Sequence, residues 1–348
     1  MNNPGLAFAI LLLVTLLWMS VPLIPAFSEL IRPRDAAPLD AVGNDAGDLT
    51  YFAESFLARA TAEGLLGPTI PRYLSDDTQV LVHSTGQLIA PDKKVLSDVA
   101  VIVDGAAIPD GTELLSETLA RVTLHGSAGS TYRALLGMRD VYLGPGSTVL
   151  RWVHAAGRLE VAENCHLFGR ATANRQIVLS TGVAFDRLES DVVRVTDVET
   201  APTPILPTGA FERFIPRKAT EMGPNYWRVL DDVNIPAGNI LSGSLIASGS
   251  IVVGDGARLS GSIKSHEEIV VRTGAVIAGS ISARGTVTIE AGGRVIGPVI
   301  SETAIVVEAA IVGEPGKRTT ITAPTIRLMP GATIHGAVMA GEEGLTMA

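Results

Sequence analysis

The last third of the sequence repeats every 18 residues, and that period leaves few folds open. Paired aliphatics stand at Val233 and Ile235, Ile251 and Val253, Ile269 and Val271, Val287 and Ile289, and Ile305 and Val307, each pair 18 residues after the one before. One series of turn glycines follows at the same interval (Gly238, Gly256, Gly274, Gly292), and so does a second (Gly243, Gly261, Gly279, Gly297). Shortly after each glycine of the second series comes an aliphatic: Leu245, Ile263, Ile281 or Val299. A sixth unit restarts after a three-residue insertion, with Ile326 and Leu328, then Gly331, Gly336 and Val338. Alternate residues of a strand point to opposite faces, so each i, i+2 pair sends both side chains inward. Eighteen residues are too few for a strand and a packed helix. They suit three short strands joined by bends, with each coil completing the hydrogen-bond ladders of the last. Gly-rich, β-branched runs oppose amphipathic helices. No Phe, Tyr or Trp follows Trp227, as a narrow core of Ile, Val, Leu and Ala requires. The expectation over 232–340 is all-β, a parallel β-helix solenoid, with 341–348 as a tail.

Residues 77–196 repeat the arithmetic more loosely. Val141 and Leu143, Leu159 and Val161, and Ile177 and Leu179 are 18 apart, Val195 continues the series, and Val122 with Leu124 reads as an earlier coil with a one-residue slip. Gly146, Asn164 and Gly182 hold the turn place. Asn is the natural substitute for Gly where φ is positive. Residues 197–231 break the pattern and read as an insertion or linker whose Phe211, Phe214, Tyr226 and Trp227 pack on something, either as a site for a partner or, more simply, as a cap on the first array.

The N-terminus is of another kind. Residues 1–28 carry no charged side chain, and Leu6 to Phe27 is an apolar run of 22 residues. About 20 apolar residues span a bilayer core as a helix. A cleaved signal peptide is the alternative, with Pro22, Pro25 and Ala26 near a processing site. The length of the run and the lack of a preceding Lys or Arg favour an uncleaved transmembrane anchor. Arg32 and Arg34, just after it, place the bulk of the chain in the cytoplasm. Within 29–76, residues 33–48 read as a linker. An amphipathic helix is expected from Leu49 to Glu63, capped by Asp48 or Thr50 and ended by Gly64. Tyr51, Phe52, Phe56 and Leu57 would share one face, either docked on the domain that follows or turned to a membrane or partner.

Charge and chemistry narrow the function. With 27 Lys+Arg against 36 Asp+Glu, the net charge of −9 opposes nucleic-acid binding. One cysteine excludes a disulfide framework and a Cys-clustered zinc site. The glycines follow the coil period rather than a phosphate-binding loop. Two enzyme readings stay open. A left-handed β-helix acyltransferase also has 18 residues per coil; Val253, Leu259, Val271, Ile277, Ile289 and Val295 obey its six-residue rule, while Ser265, Ala283 and Ser301 do not. Its histidine would be His266 or His335, and His266 sits among Lys264, Glu267 and Glu268 like a solvated corner. A carbohydrate-acting β-helix enzyme would cluster carboxylates on one face, but Asp255, Glu267, Glu290 and Glu308 are scattered at turns. His154 and His166 lack a third metal ligand at useful spacing, and Cys165 has no neighbouring base. No catalytic, cofactor-binding or metal residue is assigned, and no cofactor is expected.

The segment Leu241–Ser301, LSGSLIASGSIVVGDGARLSGSIKSHEEIVVRTGAVIAGSISARGTVTIEAGGRVIGPVIS, resembles the bactofilins, polymer-forming cytoskeletal proteins of bacteria. The carrying elements are the repeated aliphatic-x-G-small-aliphatic and G-A-x-aliphatic. The resemblance implies a right-handed β-helix that assembles end to end into nonpolar filaments without a nucleotide, often at the inner membrane. It implies as partners further copies of itself or another bactofilin-like protein, the membrane, and envelope-synthesis proteins. The chain departs from the family in its apolar N-terminus and its second, degenerate array, whose coils would cap one end. Leu328, Met329, Val338 and Met339 offer an apolar contact at the last coil, if they are not ordinary core. About ten coils of roughly 4.8 Å would make a rod of about 50 Å.

Overall fold

The computed structural model describes residues 11–15, 18–19, 21, 49–84, 94–105, 107–195 and 212–348. Among these, no helix is long and apolar enough to cross a membrane. The transmembrane helix expected over Leu6–Phe27 falls mostly outside the described residues, as does the linker 33–48. The fold below belongs to the compact unit Leu39–Ala348.

The chain is a β-solenoid of about 13 turns, a rod of about 60 Å at ~4.8 Å per turn. In the second array the expected pairs are ladder partners: Val233, Ile251, Ile269, Val287, Ile305 and Ile326 stack in register, coil on coil. The second members form a parallel stack in which Ile235 lies opposite Val253, and Val271, Ile289, Val307 and Leu328 follow. Ile235 therefore begins its column in the first coil of this array. In the first array Leu124, Val141, Leu159, Ile177 and Val193 stack in the same way. The first array departs from the expected register at both ends: Leu124, not Val122, lies opposite Val141, and Val193, not Val195, lies opposite Ile177, with Val195 opposite Leu179.

The two glycine series meet different needs. Gly238, Gly256, Gly274 and Gly292 have positive φ, and Asn164 takes the same conformation (φ 56°) between Gly146 and Gly182. Gly243 of the second series shares positive φ, whereas Gly261, Gly279 and Gly297 let one bend lie on the next. A Cβ on Gly279 would stand 2.5 Å from the Gly261 carbonyl carbon, and one on Gly297 would stand 2.7 Å from that of Gly279.

The two arrays meet end to end. The last strand of the first, Ala184–Val195, pairs antiparallel with the last strand of the second, Thr333–Thr346. Three interior columns therefore run through both arrays. At the junction they place Val193 opposite Ile334, Leu188 opposite Val338 and Phe185 opposite Gly344. One contiguous hydrophobic core fills both arrays. The expected tail 341–348 is thus largely strand, held between Thr319–Leu328 on one side and Ala184–Val195 on the other. Within 197–231 the described part opens the second array: Glu212–Arg213 and Tyr226–Val229 pair with its next coil, and Thr220–Gly223 folds back on Tyr226–Val229 as a hairpin. The cap on the first array is instead the second array. Phe211 lies outside the described residues, while Phe214 and Trp227 pack on the core.

The helix runs Tyr51–Ala62 behind Thr50, whose hydroxyl bonds Glu54. It docks on the first array, but not by the expected face. Ala53, Phe56 and Ala60 are buried, whereas Tyr51 and Phe52 are exposed. The small residues let the helix lie close to the sheet, with Phe56 against Trp152 at 5.9 Å. A second core forms under it, completed by Leu65 and Leu74. Both cores begin at or after Ala53, so Leu39–Ala348 carries its own interior.

Candidate assembly surfaces

Four coil ends matter in a chain with two solenoids, and the structure treats them differently. The two C-terminal ends consume each other. Beyond the strand pairing, Val183 N–H donates to the Thr346 hydroxyl (2.8 Å), which donates to the Ser180 carbonyl (2.7 Å). Val195 N–H reaches the Ala332 carbonyl, and Gly331 N–H the Val195 carbonyl, both at 3.0 Å. Arg318 bridges back to Glu189 at 2.9 Å and Asp191 at 3.6 Å. Because Arg318 is largely exposed, that pair contributes little, on the order of 0.5 kcal/mol. The aliphatic columns and the backbone bonds hold the seam.

This fixes the positions of the four residues expected at a free end. Leu328 and Val338 are fully buried. Val338 and Met339 lie opposite Leu188 and Arg187 of the same chain, and Met329 N–H bonds the Val307 carbonyl. The apolar contact at the last coil is therefore made within the chain. The five aliphatic pairs expected to line the coils all point inward. Val233, in the first coil, is 5% exposed, while Ile235 beside it and every later member through Val307 are fully buried. These residues hold the rod together and offer nothing to a ligand or partner.

The N-terminal end of the first array is covered only in part: Val80–His83 and Val95–Leu96 each have a ladder partner on one side only among the described residues, and Val82 and Val95 are 39% and 47% exposed. Its edge strand Val80–His83 receives the segment before it, with Val80 N–H on the Arg72 carbonyl at 2.8 Å, and Leu65 and Leu74 close the second core beside it. The N-terminal end of the second array is more open. Ile215, Met222 and Leu230 are 55%, 43% and 71% exposed there, and Thr220–Gly223 has a strand partner on one side only among the described residues. Sequence reasoning missed this hairpin because the 18-residue period stops short of it.

The residues weighed for catalysis are not brought together. His266 is exposed. His335 is buried at the seam, its Nδ1 3.3 Å from the Asp191 carbonyl. His154 bonds the Thr172 hydroxyl at 2.8 Å, and burial pushes its ring pKa down, with Glu54 opposing. His166 stacks on Phe168 and lies opposite Thr148, six register positions from the pairing of Thr172 with His154. Cys165 is buried, its thiol donates to the Gly144 carbonyl at 3.2 Å, and burial pushes its pKa up. Among the described residues no group of His, Cys, Asp or Glu is placed to hold a metal ion.

No family model matches the chain, and comparisons with curated proteins and with solved structures return no match.

Proposed function

We propose that this protein is a structural scaffold rather than an enzyme, bactofilin-like, tethered to the bacterial inner membrane by Leu6–Phe27 with its bulk in the cytoplasm. In this reading it associates through a coil end and organises envelope or cell-shape machinery. The observation that carries it is the seam: two coil ends of this chain already bind each other by antiparallel pairing over a shared aliphatic interior. An unpaired sheet edge is a template for another strand, and the open end at Glu212–Leu230 carries one together with exposed apolar side chains. With the two C-terminal ends occupied by each other, association there joins two copies into a rod of about 120 Å at ~4.8 Å per turn.

Sedimentation and electron microscopy of the full chain in detergent test this. Wild type should give particles twice the length of those from Leu230→Asp or Ile215→Asp, both exposed positions that leave the core intact. A wild-type chain that stays single at the highest attainable concentration would overturn end-to-end association.

A further inference from the structure

We infer that the face of the first array beside the helix Tyr51–Ala62 is a docking surface for an anionic lipid bilayer. Arg170 and Arg187 stand directly opposite each other in adjacent coils, and Arg151 lies one coil before Arg170. Like charges placed opposite in a sheet repel, yet none of the three forms an ion pair among the described residues. Of the carboxylates around them Glu117 is in an ion pair with Arg133 at 3.0 Å, while Asp186 and Glu54 accept from neutral donors, the Gly169 N–H at 2.7 Å and the Thr50 hydroxyl at 2.9 Å, and keep their charge. Glu342 lies on the rim beyond Arg187.

Around this row the chain exposes large apolar side chains. Tyr51 and Phe52 are 59% and 46% exposed on the helix, and Leu150 and Phe168 are 41% and 47% exposed in adjacent coils. The Arg170 guanidinium lies over the Phe52 ring at 4.7 Å, joining the basic and aromatic parts. Open grooves of about 590 and 460 Å³ flank Arg170, one reaching Arg187 and the other Arg151. Aromatic rings with an apolar body and basic groups that meet headgroup phosphates are the combination an interface selects.

Two further observations choose a bilayer over a soluble anion. The apolar residues would be idle against a free phosphate. The chain also enters the described fold at Leu49, which lines the same groove as Arg170 and Arg187, shortly after the apolar run in sequence. A chain of net charge −9 would be repelled by an anionic surface on its other faces, so this patch sets how the rod lies. The inference does not depend on end-to-end association.

The unit Leu39–Ala348, which lacks the apolar run, isolates the effect in co-sedimentation with vesicles. Phosphatidylcholine vesicles containing phosphatidylglycerol should pellet it at low salt, and pure phosphatidylcholine should not. The combined Arg151→Gln, Arg170→Gln and Arg187→Gln variant should bind on the order of a hundredfold more weakly, while Arg284→Gln on the second array should bind like wild type. If the triple variant fails to fold, Tyr51→Ser with Phe168→Ser, both exposed, should still weaken binding on the order of tenfold through lost apolar burial. No binding to anionic vesicles, or undiminished binding by the folded variants, would overturn the inference. So would displacement by inorganic phosphate at constant ionic strength, which would mark a site for a soluble anion.

Discussion

At the seam Gly344 leaves an interior column without a side chain, and Phe185 fills that space from the other array. A methyl at position 344 would strike the edge of the Phe185 ring and stand 2.5 Å from the Phe185 carbonyl oxygen. Gly344 lies outside the left-handed region, so the cost of Gly344→Ala is steric. Overpacking of this kind costs about 1–3 kcal/mol, and Phe185→Ala costs about 3–5 kcal/mol through the cavity it leaves. If the two were independent, the double variant would lose about 4–8 kcal/mol. They are not, because the ring removed by one substitution is the group struck by the other. The double variant should fall short of the sum by about 1–2 kcal/mol, and the carbonyl contact keeps the recovery incomplete. Urea unfolding of wild type, both single variants and the double variant, followed by circular dichroism, measures the coupling. Additivity within about 0.5 kcal/mol would refute the pairing of Phe185 with Gly344 and the seam built on it.

Three other outcomes are expected. Gly279→Ala sets a methyl against backbone that cannot rotate away and should lower the thermal midpoint by on the order of 5 °C. Gly223→Ala has nothing within 4 Å and should leave the midpoint unmoved; equal shifts would contradict the stacked bends. Burial holds His154 and His83 below the ordinary imidazole range. Below about pH 6.5 the unfolded chain therefore takes up protons that the folded chain refuses. Stability should be complete above that pH and fall as the solution is acidified, with a shallower slope in His154→Gln; urea midpoints from pH 7 to 5 would show an unchanged slope if the ring were solvated. Cys165 should resist thiol reagents at pH 8 until denaturant is added, and a rapid native reaction measured by absorbance would show that the thiol is reachable.

The coils were legible in the sequence because each one makes the same demands. An inward pair, a residue at positive φ and a bend flat enough to be covered recur every turn, so the pattern survives even where Asn164 replaces glycine. The helix was legible as a helix but not in its docking face. Hydrophobicity favoured Tyr51 and Phe52, whereas close approach to Trp152 needs Ala53 and Ala60. The seam left no local trace. Gly341, Glu342 and Glu343 look like a polar tail, and they bulge within a strand that is paired on both sides at Met339 and again at Gly344, with one partner strand some 150 positions earlier in the chain. The hairpin at Thr220–Val229 obeys the rules of a two-strand turn, which the search for an 18-residue repeat does not detect.

Joining the arrays by their final strands makes the molecule close to a palindrome. Travelled from either tip, the backbone starts at an early coil and winds toward the middle, where both halves finish. Such a rod has no arrow: a protein that binds along it meets strands running opposite ways on the two sides of the centre, and only side chains, such as the arginines near the helix, tell one half from the other.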